Sequence, residues 1–358
     1  MSERLLKLRQ KLAEKELDGI LISQPENRRY LSGFDGSAGL LLITGSESLL
    51  ATDFRYTKQA REQAPDFQVI QTKGDMQEWF PGLVSDLKLR RLGFEAEHLS
   101  LATYQRMIEA VKTLSSQLQF VSAQDLVDQI RAIKEARELE LIAGAVKLAD
   151  QALEHISNFV RPGMKEKEVS WEIERFLREN GSESLPFETI VASGPRSALP
   201  HAKPTERPIQ TGEPIVVDIG ARLQGYCSDL TRTFYLGEAD STFARVYDIV
   251  LGAQLVALAT LESGMSGEQA DRLARTVIEE AGYGKDFGHS LGHGVGLAPH
   301  EEPRLAPKAS GKLIDSMVFT IEPGIYIVGW GGVRIEDMVV LEKGKPRLLS
   351  QVPKIRSV

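Results

Sequence analysis

The sequence predicts two domains, an α/β domain followed by an α+β domain with mainly antiparallel strands. The chain has 358 residues, which exceeds the length of one average domain. In its first third, short apolar runs alternate with helical stretches, which is typical of an α/β domain. In the remainder, the predicted helices group apart from strands at hairpin spacing, which is typical of an α+β domain. We place the first domain at 1–122, a helical linker at 123–135 and the second domain at 136–358.

The first domain begins with a helix over 3–16, which leucines at helical spacing predict. Gly19 then interrupts the helical pattern ahead of the apolar run Ile20 to Ile22, which predicts a strand. Two further apolar runs, Leu40 to Thr44 and Ser48 to Ala51, flank a Gly-Ser turn signal and predict two more strands. The remaining elements of this domain are strands at 67–71 and 91–94 and helices at 76–88 and 100–114.

A charged helical stretch over 123–160 covers the linker and the start of the second domain, and Arg161-Pro162-Gly163 ends it. Gly181 caps the next helix. The helices predicted after the first one lie at 165–180, 241–263 and 266–281. The predicted strands lie at 188–193, 214–219, 226–236, 316–328 and 333–341.

The composition excludes several classes of protein. A hydrophobic content of 42% with 26% charged residues is ordinary for a globular protein with a large core. The net charge of −7 argues against nucleic-acid binding. The single cysteine excludes an internal disulfide and favours a reducing compartment. The charged N-terminus lacks the apolar core of a signal peptide, and no apolar run approaches about 18 residues. We therefore expect a cytoplasmic protein that does not span a membrane.

Two carboxylates at hairpin spacing are the first chemical signal. In the stretch EPIVVDIGARLQGYCSDLTRTFYLG, two β-rich runs flank a polar, glycine-containing segment. If the turn is centred between Leu223 and Gln224, Asp218 lies directly opposite Asp229 on one face of the ladder. The alternative is that one acid faces solvent and the other belongs to the turn.

A second stretch, MVFTIEPGIYIVGWGGVRIEDMVVL, repeats this arrangement. A turn centred on Gly329 places Glu322 opposite Glu336. Both acids lie in otherwise apolar runs, where an unpaired charge is costly. A slip of one residue in either hairpin would turn one acid of the pair to the other face.

Four carboxylates gathered at one point imply bound cations. Two like charges about 4 Å apart repel by about 4 kcal/mol at an effective dielectric constant near 20. Two divalent cations would cancel the charge of four carboxylates. The sequence therefore predicts an enzyme with two metal ions.

The glycine-rich stretch DFGHSLGHGVGLAPHEEP lies between the two hairpins and contains three of the six histidines. His289 and His293 have the HxxxH spacing of a helical zinc site, but Ser290 stands where the catalytic glutamate of that motif would be. The glycines also argue against a long helix here. We expect one histidine of this stretch to bind metal and the others to act on substrate. The alternative is that they only satisfy local hydrogen bonds.

These residues occur in a recognisable order, and with it the sequence resembles the creatinase/prolidase/methionine aminopeptidase group, metallopeptidase family M24. The segments LPHAKPT, VVDIGARLQGYCSDLTRTF, GHSLGHGVGLAPHEEP and IEPGIYI…GGVRIEDMVV resemble its signatures in turn. YLSGFDGSAG and TDFRYTKQA resemble the N-terminal domain of Xaa-Pro aminopeptidases and prolidases. The resemblance implies a pita-bread fold with a curved, mainly antiparallel sheet, and hydrolysis of the Xaa-Pro bond in small proline-containing peptides.

The resemblance also implies a homodimer and roles for individual residues. It implies two divalent ions, manganese or cobalt with zinc as an alternative, which share a hydroxide nucleophile. Glu322 would also carry the proton to the leaving nitrogen, and His300 would stabilise the oxyanion. His289 and His201 would line the proline side of the pocket, and Arg334 would orient its neighbours together with Tyr326. The implied metal ligands are Asp218, Asp229, His293, Glu322 and Glu336.

Three alternatives to an Xaa-Pro peptidase belong to the same fold. Creatinase lacks the metal ligands that are present here. Methionine aminopeptidases lack a comparable first domain, and a non-catalytic pita-bread binding protein would have lost ligands. The sequence leaves open whether the substrate is a dipeptide or a longer peptide. Cys227 is two residues from Asp229, and we expect a packed thiol there and not a metal ligand.

Overall fold

The computed structural model describes residues 2–112, 114, 118–123, 125–355 and 357. The chain divides into two compact units, 1–131 and 132–358. The short helix Asp128–Arg131 ends the first unit. Each unit has hydrophobic clusters of its own.

The first unit is an α/β domain with one mixed sheet of six strands in the order β4-β3-β2-β1-β5-β6. The pairs β1–β2 and β2–β3 are antiparallel and the other three pairs are parallel. Residue 113, inside the helix predicted over 100–114, lies outside the described residues. The elements are α1 (Glu3–Glu14), β1 (Gly19–Ile22), α2 (Pro25–Ser32), β2 (Leu40–Thr44), β3 (Ser48–Thr52), α3 (Thr57–Gln63), β4 (Gln68–Gln71), α4 (Met76–Asp86), β5 (Arg91–Phe94), α5 (Leu101–Val111), β6 (Gln119–Ser122) and α6 (Asp128–Arg131).

In the described part of the second unit, four longer helices combine with short, mainly antiparallel strands, as in an α+β domain. Two 3₁₀ turns, Gly194–Ala198 and Gly284–Asp286, lie in its loops. Its elements are α7 (Ala136–Phe159), α8 (Glu166–Glu179), β7 (Ile190–Ser193), β8 (Pro214–Ile219), β9 (Arg222–Leu223), β10 (Tyr226–Cys227), β11 (Leu230–Tyr235), α9 (Ser241–Thr260), α10 (Gly267–Glu280), β12 (Gly292–Gly294), β13 (Glu301–Leu305), β14 (Val318–Ile321), β15 (Gly324–Ile327), β16 (Gly331–Arg334), β17 (Asp337–Glu342) and β18 (Lys345–Leu348).

Two hydrophobic cores support the strands of the second unit. One joins α7 and α8 to the sheet β11-β8-β7, with Leu153 and Ile173 in the same cluster as Val217. The other joins α9 and α10 to the sheet β13-β12-β14-β17-β18 and to the hairpin β15–β16. Burial of these apolar faces stabilises the unit by about 25 cal/mol per Å² removed from water.

Helix α9 is long and apolar enough to cross a membrane by length and composition alone, a test that the core helix of a soluble protein also passes. The helix contains Arg245 and Asp248, so it is not the uninterrupted apolar run of about 18 residues that the sequence analysis sought. In the structure, Phe243, Val250 and Ala257 of α9 are fully buried in the core.

The long helix predicted over 123–160 is interrupted. Residue 124 lies outside the described residues, and among the described residues of this range only Ala136–Phe159 forms a long continuous helix, while a separate short helix ends at Arg131. Between them, Ile133 forms a β-bridge with Met317. Glu135 begins the long helix with a capping box to Glu138, which satisfies the free N–H groups of the first turn. The prediction was wrong here because charge and helix propensity alone do not show a cap inside a helical stretch.

The register of the first hairpin differs from the prediction by two residues. Asp218 pairs with Thr231, and not with Asp229. The turn lies at Gln224-Gly225, where both residues have positive φ, 46° and 85°. Such a two-residue turn fits the twist of a hairpin and fixes the pairing of Leu223 with Tyr226. Because the shift is even, Asp218 keeps its face.

The register of the second hairpin is the predicted one. Gly324 pairs with Arg334 on one side of the acids, and Ile321 pairs with Asp337 on the other. The predicted strands 316–328 and 333–341 are nevertheless each broken in two. The breaks fall at 322–323 and 335–336, next to Pro323, which has no N–H for a ladder.

Candidate metal centre

Three of the four acidic residues lie where strands are interrupted. Asp229 lies between β10 and β11, Glu322 directly after β14, and Glu336 between β16 and β17. Asp218 is one residue before the end of β8. His293 is in the middle of β12, a strand and not a helix, so the HxxxH spacing does not form the helical zinc motif.

The structure brings all five predicted ligands together. Three overlapping groups have ligand atoms within 4.8 Å of one another, and neighbouring groups share residues. Asp218, Asp229 and Glu336 are buried, and His293 and Glu322 are partly buried. The three groups are Asp218–Asp229–Glu336, His293–Glu322–Glu336 and Asp229–His293–His300.

Burial and mutual repulsion disfavour ionisation of three of these acids. Burial raises the pKa of Asp229 well above its ordinary value, and the charges of Glu336 and Asp218 raise it further. Burial likewise raises the pKa of Glu336 well above its ordinary value, with Glu322 adding to the effect. The pKa of Asp218 is also raised, mainly by burial, although Arg334 opposes the shift. A nearby cation would remove these penalties.

Glu322 and His293 lie within hydrogen-bonding distance of each other among the predicted ligands. The Nε2 atom of His293 lies 3.3 Å from Oε1 of Glu322 and 3.6 Å from Oδ2 of Asp229. Burial would raise the pKa of Glu322, but hydrogen bonding to His293 and the charge of that ring lower it to about 2. Burial would lower the pKa of His293, but the same pairing raises it.

Arg334 forms hydrogen bonds both to a predicted metal ligand and to side chains around the centre. Its Nη2 donates to Oδ2 of Asp218 at 2.6 Å, and its Nη1 donates to the hydroxyl of Tyr326 at 2.8 Å. Its Nε donates to the hydroxyl of Thr231 at 3.1 Å, and that hydroxyl donates to Oε2 of Glu336 at 2.7 Å. Burial would lower the pKa of this guanidinium, but the charges of Tyr326 and Asp218 raise it well above its ordinary value.

The other predicted histidines lie around this centre at different depths. Partly buried His289 has its Nε2 2.9 Å from the Tyr326 hydroxyl, and burial lowers its pKa. The ring of His300 is centred 4.1 Å from that of His293. His300 keeps an exposed surface, yet partial burial and the charge of His293 lower its pKa to about 4. His201 is exposed and belongs to none of the ligand groups among the described residues. Its charge still lowers the pKa values of His289 and His300.

Sequence reasoning missed two side chains that touch the centre or its backbone. The hydroxyl of Thr320 donates to Glu322 at 3.2 Å and accepts from the backbone N–H of His293 at 3.1 Å. Gln254 of α9 is fully buried, and its amide donates to the carbonyls of Ile321 and Ile335, at 3.0 and 3.2 Å. The position of Thr320, two residues before Glu322 on one strand face, could have identified it.

Cys227 is buried and belongs to none of the ligand groups among the described residues. Its Sγ lies 3.6 Å from the carbonyl oxygen of Leu297, and its backbone N–H donates to Gly296.

An α/β domain followed by an α+β domain with a cluster of acids and an imidazole defines a pita-bread metallopeptidase. The family model of metallopeptidase family M24 matches residues 140–343. The family model of the creatinase/prolidase N-terminal domain matches residues 4–133. The chain belongs to the M24 metallopeptidase family and is a peptidase.

Known proteins are similar to this chain over almost its whole length. The Xaa-Pro dipeptidase of Pyrococcus furiosus is 38% identical, covering 97% of this chain and 98% of its own. The structure of an Xaa-Pro dipeptidase from Bacillus anthracis has a TM-score of 0.95 and 41% identity, with 99% of each chain covered. The structure of an X-Pro aminopeptidase from Thermotoga maritima has a TM-score of 0.87 and 39% identity, covering 96% of this chain and 98% of its own.

Proposed function

We propose that this protein hydrolyses the Xaa-Pro bond, in dipeptides or at the N-terminus of longer peptides, with two divalent cations. The observation that carries the proposal is the set of four carboxylates and two imidazoles, those of His293 and His300, whose atoms form overlapping groups within 4.8 Å. The dipeptidases and the aminopeptidase to which the chain is similar support the choice of the proline bond.

The residues of the centre fit two hard or borderline cations. Oδ1 of Asp218 is buried and has no hydrogen-bond partner among the described residues, which leaves a lone pair for a cation. Carboxylates with one imidazole suit manganese, cobalt or zinc and do not suit copper. The chemistry that divalent cations would supply here is Lewis acidity, which lowers the pKa of water and gives a nucleophile at neutral pH.

Side chains of the protein would transfer the proton, stabilise the oxyanion and contact the substrate. Glu322, at the edge of the centre, would accept the proton of the attacking water and pass it to the proline nitrogen. His300 would donate to the oxyanion, and Arg334 would hold Asp218 and Tyr326 in place. His289 and His201 would contact the proline side. A proline nitrogen has no N–H in the peptide bond, so recognition through the carbonyl oxygen suits this substrate.

The test uses purified protein stripped with a chelator and supplied with manganese, cobalt or zinc. We expect hydrolysis of Ala-Pro or Ala-Pro-Ala with manganese or cobalt, and little hydrolysis of Ala-Ala. Asp229→Asn should lower kcat/KM by at least about 100-fold. Asp66→Asn, an exposed aspartate of the first unit, is the matched control and should not change it.

Other outcomes would contradict the proposal. Cleavage of Met-Ala-Ser in preference to the proline peptides would favour a methionine aminopeptidase. Equal activity of Asp229→Asn and the unchanged chain would exclude the proposed centre. Cleavage of Ala-Pro but not Ala-Pro-Ala would select dipeptidase activity, and the reverse would select aminopeptidase activity.

A homodimer and a cytoplasmic location remain predictions. Sedimentation tests the first, and cell fractionation tests the second.

A further inference from the structure

Helix α10 presents an ion pair between buried Asp271 and partly buried Arg275 to the loop that carries His289. Asp271 is fully buried, and Arg275 follows it by one helical turn. The pair is bidentate, with Nε of Arg275 at 2.6 Å from Oδ2 of Asp271 and Nη2 at 2.8 Å from Oδ1. Two parallel bonds of this kind fix the plane of the guanidinium.

The same two side chains hold the loop backbone on both sides of His289. Arg275 donates from Nη1 to the carbonyl oxygen of Phe287 at 3.0 Å and from Nη2 to that of His289 at 2.7 Å. Oδ1 of Asp271 accepts from the backbone N–H of Leu291 at 3.0 Å. The guanidinium carbon also lies 4.2 Å from the centre of the Phe287 ring. The ion pair therefore fixes residues before, at and after the histidine.

The core anchors this loop at both ends, where Phe287 and Leu291 are buried, and the ion pair holds the backbone of these two residues and of His289. The loop lies between a 3₁₀ turn that ends at Asp286 and strand β12, which begins at Gly292. Gly288 is exposed, and a Cβ built there would meet no atom within 4 Å, so packing does not restrain this position. The imidazole of His289 must nevertheless reach the Tyr326 hydroxyl, which lies 2.9 Å away.

Stability is a weak reason for such a pair. Removing two charges from water costs several kcal/mol per ion, and apolar residues of similar size are often as stable or more stable. The charges instead give directed bonds to three backbone groups, which apolar side chains would not make.

We propose that Asp271 and Arg275 are positioning residues that set the orientation of His289 toward the substrate. The inference rests on the proposed function, because it assigns His289 a contact with the proline side of the peptide. It adds a source of alignment outside the metal centre. A misplacement of about 1 Å at a reacting group can lower a rate by about 100-fold, so such alignment matters.

A double-mutant cycle tests the inference. Arg275→Lys keeps the charge but loses the planar fork. In the manganese-loaded protein we expect it to lower kcat/KM for Ala-Pro by about tenfold, and we expect His289→Ala to lower it by at least as much. In the His289→Ala background, Arg275→Lys should then change kcat/KM by less than about twofold. Arg272→Lys, at an exposed arginine of the same helix, is the matched control and should leave kcat/KM unchanged.

The cycle separates the possible failures. If Arg275→Lys has the same effect with and without His289, the arginine does not act through the histidine, and the inference is overturned. Loss of bound manganese in Arg275→Lys, measured by metal analysis, also overturns it, because Leu291 accepts from the N–H of Glu322. If His289→Ala is fully active while Asp229→Asn is inactive, the role of His289 fails but the metal centre stands. Should Arg275→Lys not fold, Asp271→Asn takes its place in the cycle with the same expected non-additivity.

Discussion

At the scale of single residues, the centre holds more negative charge than the protein neutralises. Four carboxylates face Arg334 and the imidazole of His293, and burial raises the pKa values of Asp229 and Glu336. In a protein without cations, these two acids therefore favour the protonated form at pH values where exposed acids are ionised.

This arrangement predicts how the metal-free protein responds to pH. The pKa of Glu336 is raised on folding, so its contribution to stability is complete below about pH 4.5, the ordinary pKa of a glutamate, and is lost as the pH rises through the folded-state pKa. The side chain in the Glu336→Gln variant cannot ionise, so this variant does not lose stability at this position as the pH rises. We expect the melting temperature of this variant in a chelator to exceed that of the unchanged protein by about 2–4 °C at pH 8 and to equal it near pH 4.5.

Scanning calorimetry or dye-based melting at several pH values measures this difference. Glu140→Gln, at an exposed position of α7, is the control and should show no difference. A Glu336→Gln variant that melts below the unchanged protein at pH 8 would show that the repulsion does not dominate.

At the scale of elements, the breaks in the strands serve the site and require compensation. Glu322 and Glu336 stand where ladder hydrogen bonds stop, directly after Ile321 and Ile335. The buried carbonyl groups of those two isoleucines receive the amide of Gln254 from α9. A polar side chain in an otherwise apolar helix face thus replaces bonds that the sheet no longer supplies.

Removing this amide should weaken the unit and disturb the metal centre together. Gln254→Met keeps the size of the side chain but takes a partner from two buried carbonyls, and we expect a loss of about 1–3 kcal/mol of unfolding free energy. We also expect weaker manganese binding by titration calorimetry. Gln151→Met, at an exposed site on α7, should change neither quantity. Unchanged stability of Gln254→Met would mean that water or backbone groups replace the amide.

The hairpins show how far the sequence predicts the elements. Gly329 and the symmetry of apolar residues around it give the second register correctly. The first register was wrong by two residues because Gln224, a residue with a side chain, adopts positive φ in the turn. The contacts of Gln254 and of Arg275 join segments that no local pattern relates, so periodicity and turn rules do not identify them.

At the scale of the whole molecule, all proposed metal ligands belong to the second unit, 132–358. Cation binding should therefore protect that unit selectively, because a ligand stabilises the state that holds its site. In hydrogen–deuterium exchange with manganese against a chelator, we expect slower exchange at 214–235, 287–301 and 318–342. Exchange over residues 2–112 should not change. Equal protection of both units would show that the cations act outside the proposed centre.

The fold class and the two kinds of domain could be predicted from the chain. The spacing of apolar residues and the order of the predicted elements can both be read from local sequence. The observed first unit has the predicted alternation of strands and helices. The observed second unit has the predicted grouping of helices apart from its strands. The gathering of the acids followed from the cost of placing like charges in apolar runs, such as those around Glu322 and Glu336. The short breaks at Asp229 and Glu336 were not predicted, because the strands expected at 226–236 and 333–341 run across them without a glycine or proline to mark an interruption.

The burial of Cys227 has a practical use. Since the chain contains no other cysteine and this thiol is enclosed, a cysteine introduced on the outside would be the sole accessible point for maleimide dyes or spin labels. Val328, at the tip of a hairpin and 94% exposed, offers such a position. A probe attached there would report on the turn between β15 and β16 without competition from the native sulfur.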